Sequence, residues 1–247
     1  MMKRRLCLIL TCCVMTLCLS MISCDSKESS TYINSNTANV DIITHEELGN
    51  VWKPNKANSL FTAEEQEMAN TAAAVDYMTD EEKKVVFLCN LARLDGNRFL
   101  IEYLRPYIRK NKLNMTASKD LQSLYYVDLK NVKNRYMLQP MKLLCDAAAY
   151  HAKDLGQHGL IGHSSSDGTD GIARIQKFVP KASRVGENCH YGREDALDIV
   201  IQLLIDENYP DVGHRKNILD AYWTNIGVSI QSHSRYRYNC VQDFCRM

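Results

Sequence analysis

The sequence has no excess of charge of either sign. Its 30 lysines and arginines are balanced by 29 aspartates and glutamates, which gives a formal net charge of +1 at pH 7. A protein that binds nucleic acid needs a basic surface that neutralises phosphates. The balance therefore predicts that nucleic acid is not a partner.

The sequence also lacks three common signatures of an enzyme site. His45-Glu46-Glu47 begins like the H-E-x-x-H motif of zinc proteases, but the second histidine is missing. No G-x-S-x-G segment offers a nucleophilic serine. The candidate metal ligands discussed below are not at i, i+3 or i+4, so there is no local metal motif of the C-x-x-C kind. A binding protein is accordingly a better expectation than an enzyme.

One apolar run has the features of an export signal. Leu6 to Ile22 follows the cations Lys3, Arg4 and Arg5, and polar sequence begins soon after it. A permanent membrane span requires about 20 consecutive apolar residues, so this run is too short. The sequence predicts a signal peptide and an exported protein.

The end of that run resembles the lipobox of bacterial lipoproteins. It reads Met21-Ile22-Ser23-Cys24, and in a lipobox the cysteine receives a diacylglycerol and becomes the mature N-terminus. We therefore predict a lipoprotein signal peptide over residues 1–23 and lipid on Cys24. The acyl chains would make the membrane a partner without a membrane-spanning helix. The alternative is an ordinary cleaved signal followed by secretion.

Cysteine pairing cannot be complete within the mature chain. Of 10 cysteines, four leave with the signal and Cys24 carries lipid, so 10 − 4 − 1 leaves five. An odd number with irregular spacing argues against a dense disulfide framework. Cys189 with Cys240 is the best candidate for a bridge, and the sequence leaves the pairing open among Cys89, Cys145, Cys189, Cys240 and Cys245.

Length and composition predict one domain behind an N-terminal tail. The chain has 247 residues, of which 45% are hydrophobic, which is enough for a single core. Residues 24–60 are rich in Ser, Asn, Thr and Lys and predict a flexible tether. We expect a short N-terminal helix within residues 61–77 and the main domain over 78–247.

Helix signals dominate the first part of that domain. Capping boxes at Thr62 and Thr79 predict a short helix to about Val75 and a stronger one after it. Pro140 stands at a good first position for a helix that extends through Gly156. In the second helix Asn90 and Arg93 share a face, either as an exposed edge or as a buried hydrogen-bonding pair.

The second half predicts one more amphipathic helix and two closing strands. Apolar residues recur at helical spacing from Ala196 to Leu204, and Asp206 stands at the end of that helix. Ile226 to Ile230 and Tyr236 to Phe244 are typical of paired strands. Helices followed by a late hairpin indicate an α+β fold.

Two histidines and two carboxylates form the candidate site: His163, Glu187, Asp206 and His214. They could hold a divalent metal such as zinc, chiefly through His163 and His214. A histidine oriented by a carboxylate could instead act as a general base. The third possibility is a buried hydrogen-bond network that only stabilises the fold. Spacing alone leaves these three open.

Several motifs in a fixed order resemble the bacterial, SCP-like branch of the CAP superfamily (cysteine-rich secretory proteins, antigen 5 and pathogenesis-related proteins). They are His163-Ser164 with Asp167-Gly168, Gly186-Glu187-Asn188, Gly213-His214-Arg215 and Ile226-Gly227-Val228. The resemblance covers roughly residues 78–244. It implies an α-β-α sandwich with a small, largely antiparallel sheet between helices, and a cleft in which His163, Glu187, Asp206 and His214 form a tetrad.

The sequence departs from the family pattern at two places. Cys89 stands where many members have a helix histidine, although Asn90 and Arg93 remain. The second acid of the tetrad is an aspartate, Asp206, and the neighbouring Glu207 is a competing candidate for the same position.

The resemblance implies a general kind of function and does not single out one activity. It predicts a binding module of the bacterial envelope, with a divalent cation or a small-molecule, lipid or protein ligand in the cleft. The alternative is a metal-assisted or general-base hydrolase of peptide or cell-wall material.

Overall fold

The computed structural model describes residues 59–209 and 211–247. The predicted signal peptide, the lipid on Cys24 and nearly all of the predicted tether lie outside the described residues. In the described part, no helix is long and apolar enough to cross a membrane.

The first half of the described chain is helical. Its elements are α1 (Ala63–Ala69), α2 (Asp80–Leu94), α3 (Gly96–Phe99), a π-helical segment (Leu100–Leu104), α4 (Arg105–Lys110), α5 (Lys119–Ser123), a second π-helical segment (Leu124–Asp128) and a 3-10 turn (Leu129–Asn131).

The second half alternates helices with strands. Its elements are β1 (Gln139–Pro140), α6 (Lys142–His158), α7 (Gly171–Phe178), β2 (Arg184–Tyr191), α8 (Ala196–Ile205), α9 (Gly213–Leu219), β3 (Asn225–His233) and β4 (Arg237–Arg246).

The strands form one four-stranded sheet in the order β1-β3-β4-β2. β1 pairs parallel to β3, whereas β3 with β4 and β4 with β2 are antiparallel. Asp243 on β4 lies opposite Gly227 on β3 and opposite Glu187 on β2. These three positions therefore face the same side of the sheet.

Helices cover both faces of this sheet. On one face α6 lies so close to β3 that the backbone of Leu144 and Cys145 stands against Gly227. On the other face Trp223, Ile226 and Phe244 belong to the main apolar cluster, which includes buried residues of α2 and α8. The predicted α+β fold with an α-β-α sandwich is confirmed.

The capping predictions are confirmed, but two helix limits differ. Thr62 and Thr79 each make a complete capping box. α1 ends at Ala69, before the predicted Val75. Pro140 belongs to β1 because the amides on either side of it are bonded toward β3. The amide of Gln139 donates to the carbonyl of Thr224 at 2.9 Å, and that of Met141 donates to the carbonyl of Ile226 at 3.0 Å. The helix therefore begins only at Lys142.

Asn90 and Arg93 are buried structural residues, which decides between the two predicted roles. Both side chains are fully buried. Asn90 donates to the carbonyl of Ala69 and accepts from the amide of Leu138. Arg93 donates to four carbonyl groups, those of Tyr136, Ile218, Asp220 and Trp223, at 2.8 to 3.1 Å. The pair ties α2 to the end of α1 and to the segments that precede β1 and β3.

The predicted bridge between Cys189 and Cys240 is wrong. Both thiols are free, as are the other three in the described residues. In the β2–β4 register Cys189 stands opposite Val241, and Cys240 opposite His190. Because neighbouring positions on a strand point to opposite faces, the two sulfurs lie on different sides of the sheet. Cys189 packs with Ala148 of α6, whereas Cys240 belongs to the main apolar cluster.

Candidate functional site

The first histidine–carboxylate pair joins a loop to a strand. α6 ends at His158, and the left-handed backbone of the next residue, Gly159 (φ 64°), turns the chain into the loop that carries His163. Nδ1 of His163 donates to Oε1 of Glu187 on β2 at 2.8 Å. The imidazole is half exposed, with 53% of its side-chain surface accessible, whereas the carboxylate is buried. The hydrogen bond raises the pKa of His163 above its ordinary value.

A buried arginine holds the other side of Glu187. Arg174 of α7 donates to Oε2 of Glu187, and its second terminal nitrogen donates to the carbonyl of His163 and to Oγ of Ser165. Burial alone would raise the pKa of Glu187. The hydrogen bond from His163 and the nearby positive charge of Arg174 outweigh that effect, so the pKa lies below its usual range.

The second pair is made where α8 ends. Asp206 takes a left-handed conformation (φ 55°) and is almost fully buried. Its Oδ2 accepts from the backbone amide of His214 at 2.8 Å, and its Oδ1 accepts from Nδ1 of His214 at 2.7 Å. One carboxylate therefore caps the start of α9 and fixes the orientation of the imidazole. Tyr209 packs edge-on against that ring.

The structure selects Asp206 over its neighbour Glu207. The carboxylate of Glu207 accepts from Oγ of Ser118 at 2.7 Å, on the side of α5. Asp206, by contrast, faces His214. The shorter side chain reaches the histidine because the left-handed residue turns the chain toward α9 at that point.

The two pairs meet across a cleft of about 240 Å³. The ring centroids of His163 and His214 are 6.5 Å apart, and the ring planes are inclined by 37°. The other lining residues are Glu187, Tyr209, Asp211, Gly213 and Asn217. All four predicted site residues are therefore brought together. His163, Glu187 and His214 line the cleft, whereas Asp206 lies behind His214 and does not line it.

A larger cavity of about 590 Å³ adjoins the second pair. His214 and Asp206 line one end of it, and Tyr209 lines both cavities. Its walls are mostly apolar and come from α4, α5 and the loop before it, α8 and β2. The apolar and aromatic contributors are Tyr107, Leu113, Ala117, Leu121, Tyr191, Leu203 and Ile205.

Behind Glu187, between β2 and α6, lies a group of buried polar side chains. His151 of α6 is fully buried, and its Nε2 donates to the carbonyl of Gly162 at 3.0 Å. The thiol of Cys189 donates to the same carbonyl at 3.5 Å. Burial lowers the pKa of His151 and raises that of Cys189, and the charges of Glu187 and Asp243 raise the latter further.

Asp243 completes this buried group. It stands opposite Glu187 on the neighbouring strand and is fully buried. Neither carboxyl oxygen has a geometric hydrogen-bond partner in the described part of the chain. Burial, and then the charge of Glu187, raise the pKa of Asp243 well above its ordinary value. Both causes favour the neutral form of this carboxyl group.

Sequence reasoning missed Arg174, Asp243 and the position of His151. Arg174 and Asp243 belong to no recognised motif, and His151 is not among the four candidate site residues named from the sequence. A signal was available for Arg174, since an arginine on a short amphipathic helix after a turn-rich loop can reach a carboxylate nearby. Asp243 offered a weaker signal, as an acid inside a predicted strand.

Part of the chain matches a known protein family. Residues 133–244 match the model of the cysteine-rich secretory protein family, CAP. The matched segment contains His163, Glu187, Asp206 and His214, and it begins after α2. The match supports the predicted resemblance to the CAP family over these residues. No curated protein is significantly similar to the sequence.

Two solved structures are similar to the chain. An extracellular protein containing an SCP domain from Bacillus anthracis is 18% identical with a TM-score of 0.41, and the match covers 68% of this chain but only 42% of that one. An outer surface protein from Borrelia burgdorferi is 23% identical with a TM-score of 0.38, covering 44% of this chain and 77% of that one. Neither similarity is strong enough to assign the fold by itself.

Proposed function

We propose, on the premise that residues 133–244 carry a CAP domain, that this protein is an exported binding module of the bacterial envelope. Its cleft would hold a divalent cation between His163 and His214. The observation that carries the proposal is the pairing of each imidazole with its own carboxylate, Glu187 for His163 and Asp206 for His214.

This pairing suits metal binding because it fixes the tautomer. When Nδ1–H donates to a carboxylate, the proton is held on Nδ1 and Nε2 carries the free lone pair. In the described residues, neither Nε2 of His163 nor Nε2 of His214 makes a hydrogen bond. Carboxylates behind metal-binding histidines also raise the basicity of the ligand.

The two rings fit a shared cation after a small movement. Two imidazoles bound to one tetrahedral zinc have centroids about 5 Å apart, compared with 6.5 Å here. His163 is half exposed on a loop and can shift, whereas His214 is 13% exposed and held by Asp206. Asp211 also lines the cleft and supplies a further oxygen ligand or a counter-charge.

Zinc titration of the purified protein tests this cation site. We expect His163→Ala and His214→Ala each to weaken binding in the cleft by about 100-fold, because each removes one of two nitrogen ligands. Isothermal titration calorimetry measures the loss.

His158→Ala is the matched control for that titration. His158 also faces a carboxylate, that of Asp154 at 3.2 Å, but it is exposed and lies outside the cleft. Its replacement should leave zinc binding unchanged. Zinc affinity that is equal in the wild type, His163→Ala and His214→Ala would refute the cation site.

The adjoining cavity supports an organic ligand with an apolar body. At about 590 Å³ it has the size of a small-molecule site. Leu121, Leu203 and Tyr107 provide apolar walls, while His190 and Gln202 supply polar groups. A small molecule or lipid would place its apolar part here and a polar end beside His214, where the cation would lie. A protein partner would instead cover the cleft from outside.

Export and lipid anchoring are proposed from the leader sequence. If Cys24 carries a diacylglycerol, Cys24→Ser should move the protein from the membrane fraction to the soluble fraction of the producing bacterium, and it should abolish incorporation of labelled palmitate. Several acyl chains account for stable membrane attachment, and a serine hydroxyl cannot receive them through a thioether.

Cys18→Ser is the control for that experiment, because Cys18 lies within the same apolar run and would be removed with the signal. It should leave labelling and membrane attachment intact. Palmitate label that persists in Cys24→Ser would show that Cys24 is not the lipidated residue.

A further inference from the structure

A second group of metal-ligating side chains lies between β2 and α6. His151, Glu187 and Cys189 each place one ligand atom within 4.8 Å of the other two. Nitrogen, thiolate sulfur and carboxylate oxygen are the ligand types that proteins use for zinc. We propose that these three side chains form a buried site for a zinc-like divalent cation, distinct from the cleft position between His163 and His214.

The atoms are already close to the spacing that such a site requires. Nε2 of His151 lies 3.8 Å from Oε1 of Glu187. Ligand atoms around a tetrahedral zinc are about 3.3–3.8 Å from one another. Sγ of Cys189 and Nε2 of His151 both point to the carbonyl oxygen of Gly162, which shows that they converge. Small side-chain rotations would bring the three onto one ion.

The site can take up a cation because two of its ligands are acids. Glu187 and Cys189 lie on one face of the sheet, beside Asp243 on the neighbouring strand. Arg174 provides a single fixed positive charge, and it already contacts Glu187. On binding, the Cys189 thiol releases its proton to solvent, and the proton on Nε2 of His151 moves to Nδ1. The +2 charge of the ion then faces the new thiolate and the carboxylate that Arg174 also contacts.

A fourth coordination position lies beside these ligands, toward His163. Cys189 is also one of the residues that line the large cavity. Nδ1 of His163 lies 3.8 Å from the sulfur of Cys189. The fourth position of a tetrahedral ion can therefore be taken by water or, after His163 releases Glu187, by that imidazole. The three principal ligands do not include His214, so the two cation sites can be separated by mutation.

Cobalt titration of the full chain under reducing conditions tests the buried site, because thiolate ligation of Co²⁺ produces a sulfur-to-metal charge-transfer band in the near ultraviolet. The cleft pair of histidines cannot produce such a band. We expect the band in the wild type and in His214→Ala. We expect it to be absent in Cys189→Ser, and His151→Gln should weaken the cobalt affinity read from the band by about tenfold or more.

Cys240→Ser is the matched control, since Cys240 is as deeply buried as Cys189 but faces the other side of the same sheet. It should keep the band. The proposal is overturned if the wild type shows no band, if the band persists in Cys189→Ser, or if Cys240→Ser removes it as well. If His214→Ala weakens zinc binding but keeps the cobalt band, both sites are supported. If the band is present and His214→Ala does not change zinc binding, only the buried site is supported.

Discussion

Replacing Arg174 with methionine is expected to lower the free energy of unfolding by about 3–5 kcal/mol at pH 7, because the change leaves a buried carboxylate without its cation. Arg174 is 1% exposed and Glu187 is almost as deeply buried. The same substitution also removes the hydrogen bonds to the carbonyl of His163 and to Ser165. Urea denaturation measures the change.

The effect of Arg174→Met should depend on pH in a definite direction. In the wild type the pKa of Glu187 is depressed, so its stabilising contribution is present above the ordinary carboxyl range and is lost as pH falls through the depressed value. Without Arg174, the effect of burial is opposed less strongly, so the pKa of Glu187 is higher than in the wild type. The deficit of the variant should therefore be largest near pH 7 and should shrink at pH 4.5, where protonation removes the unpaired charge.

A double variant separates the charge effect from lost packing. Arg174→Met combined with Glu187→Gln has no buried carboxylate to neutralise, so it should be more stable than Arg174→Met alone by at least about 1 kcal/mol. If the two substitutions add without any recovery, the interaction between Arg174 and Glu187 is not the origin of the loss.

Replacing Gly227 with alanine is expected to lower the free energy of unfolding by at least about 3 kcal/mol. A Cβ atom at this position would overlap the backbone carbon of Leu144 and the backbone nitrogen of Cys145. Because these are atoms of helix α6, no side-chain rotation can relieve the overlap. The helix would have to move away from β3, which would loosen the face that carries Glu187 and His151. Thermal and urea denaturation both report the loss.

Gly213→Ala is the control for the effect of an added methyl group. The nearest atoms to a Cβ at Gly213 all belong to the side chain of Asp211, the closest at 3.3 Å, and that side chain can rotate. Stability should change by no more than about 0.5 kcal/mol. A Gly227→Ala protein as stable as Gly213→Ala would show that α6 does not rest on β3 as closely as the structure indicates.

Several elements follow from short-range features of the sequence. Thr62 and Thr79 are each followed three residues later by glutamate, and both capping boxes form as predicted. The closing strands were predicted over Ile226–Ile230 and Tyr236–Phe244 and are somewhat longer, Asn225–His233 and Arg237–Arg246. Such signals are reliable because the partners are close in sequence and little chain must be ordered for them to meet.

Strand β2 and helix α7 did not follow from the sequence. β2 is covered on both faces, and it carries polar residues on both: Glu187 and Cys189 face α6, whereas Asn188 and His190 face the other side. The alternation that marks a strand with one exposed face is therefore missing. α7 is only eight residues long, too short for a clear helical pattern. Arg174 was missed along with it.

The sequence by itself determined the α+β class and the capping of the early helices, because these depend on local patterns. Its ordered motifs singled out the candidate residues His163, Glu187, Asp206 and His214. The tertiary structure decided what those residues touch. It placed Asp206 and not Glu207 beside His214, buried Asn90 and Arg93, separated Cys189 from Cys240 and brought Arg174, His151 and Asp243 around Glu187. These contacts join residues distant in sequence, and they are set by strand register and helix packing, which no single stretch of the chain encodes.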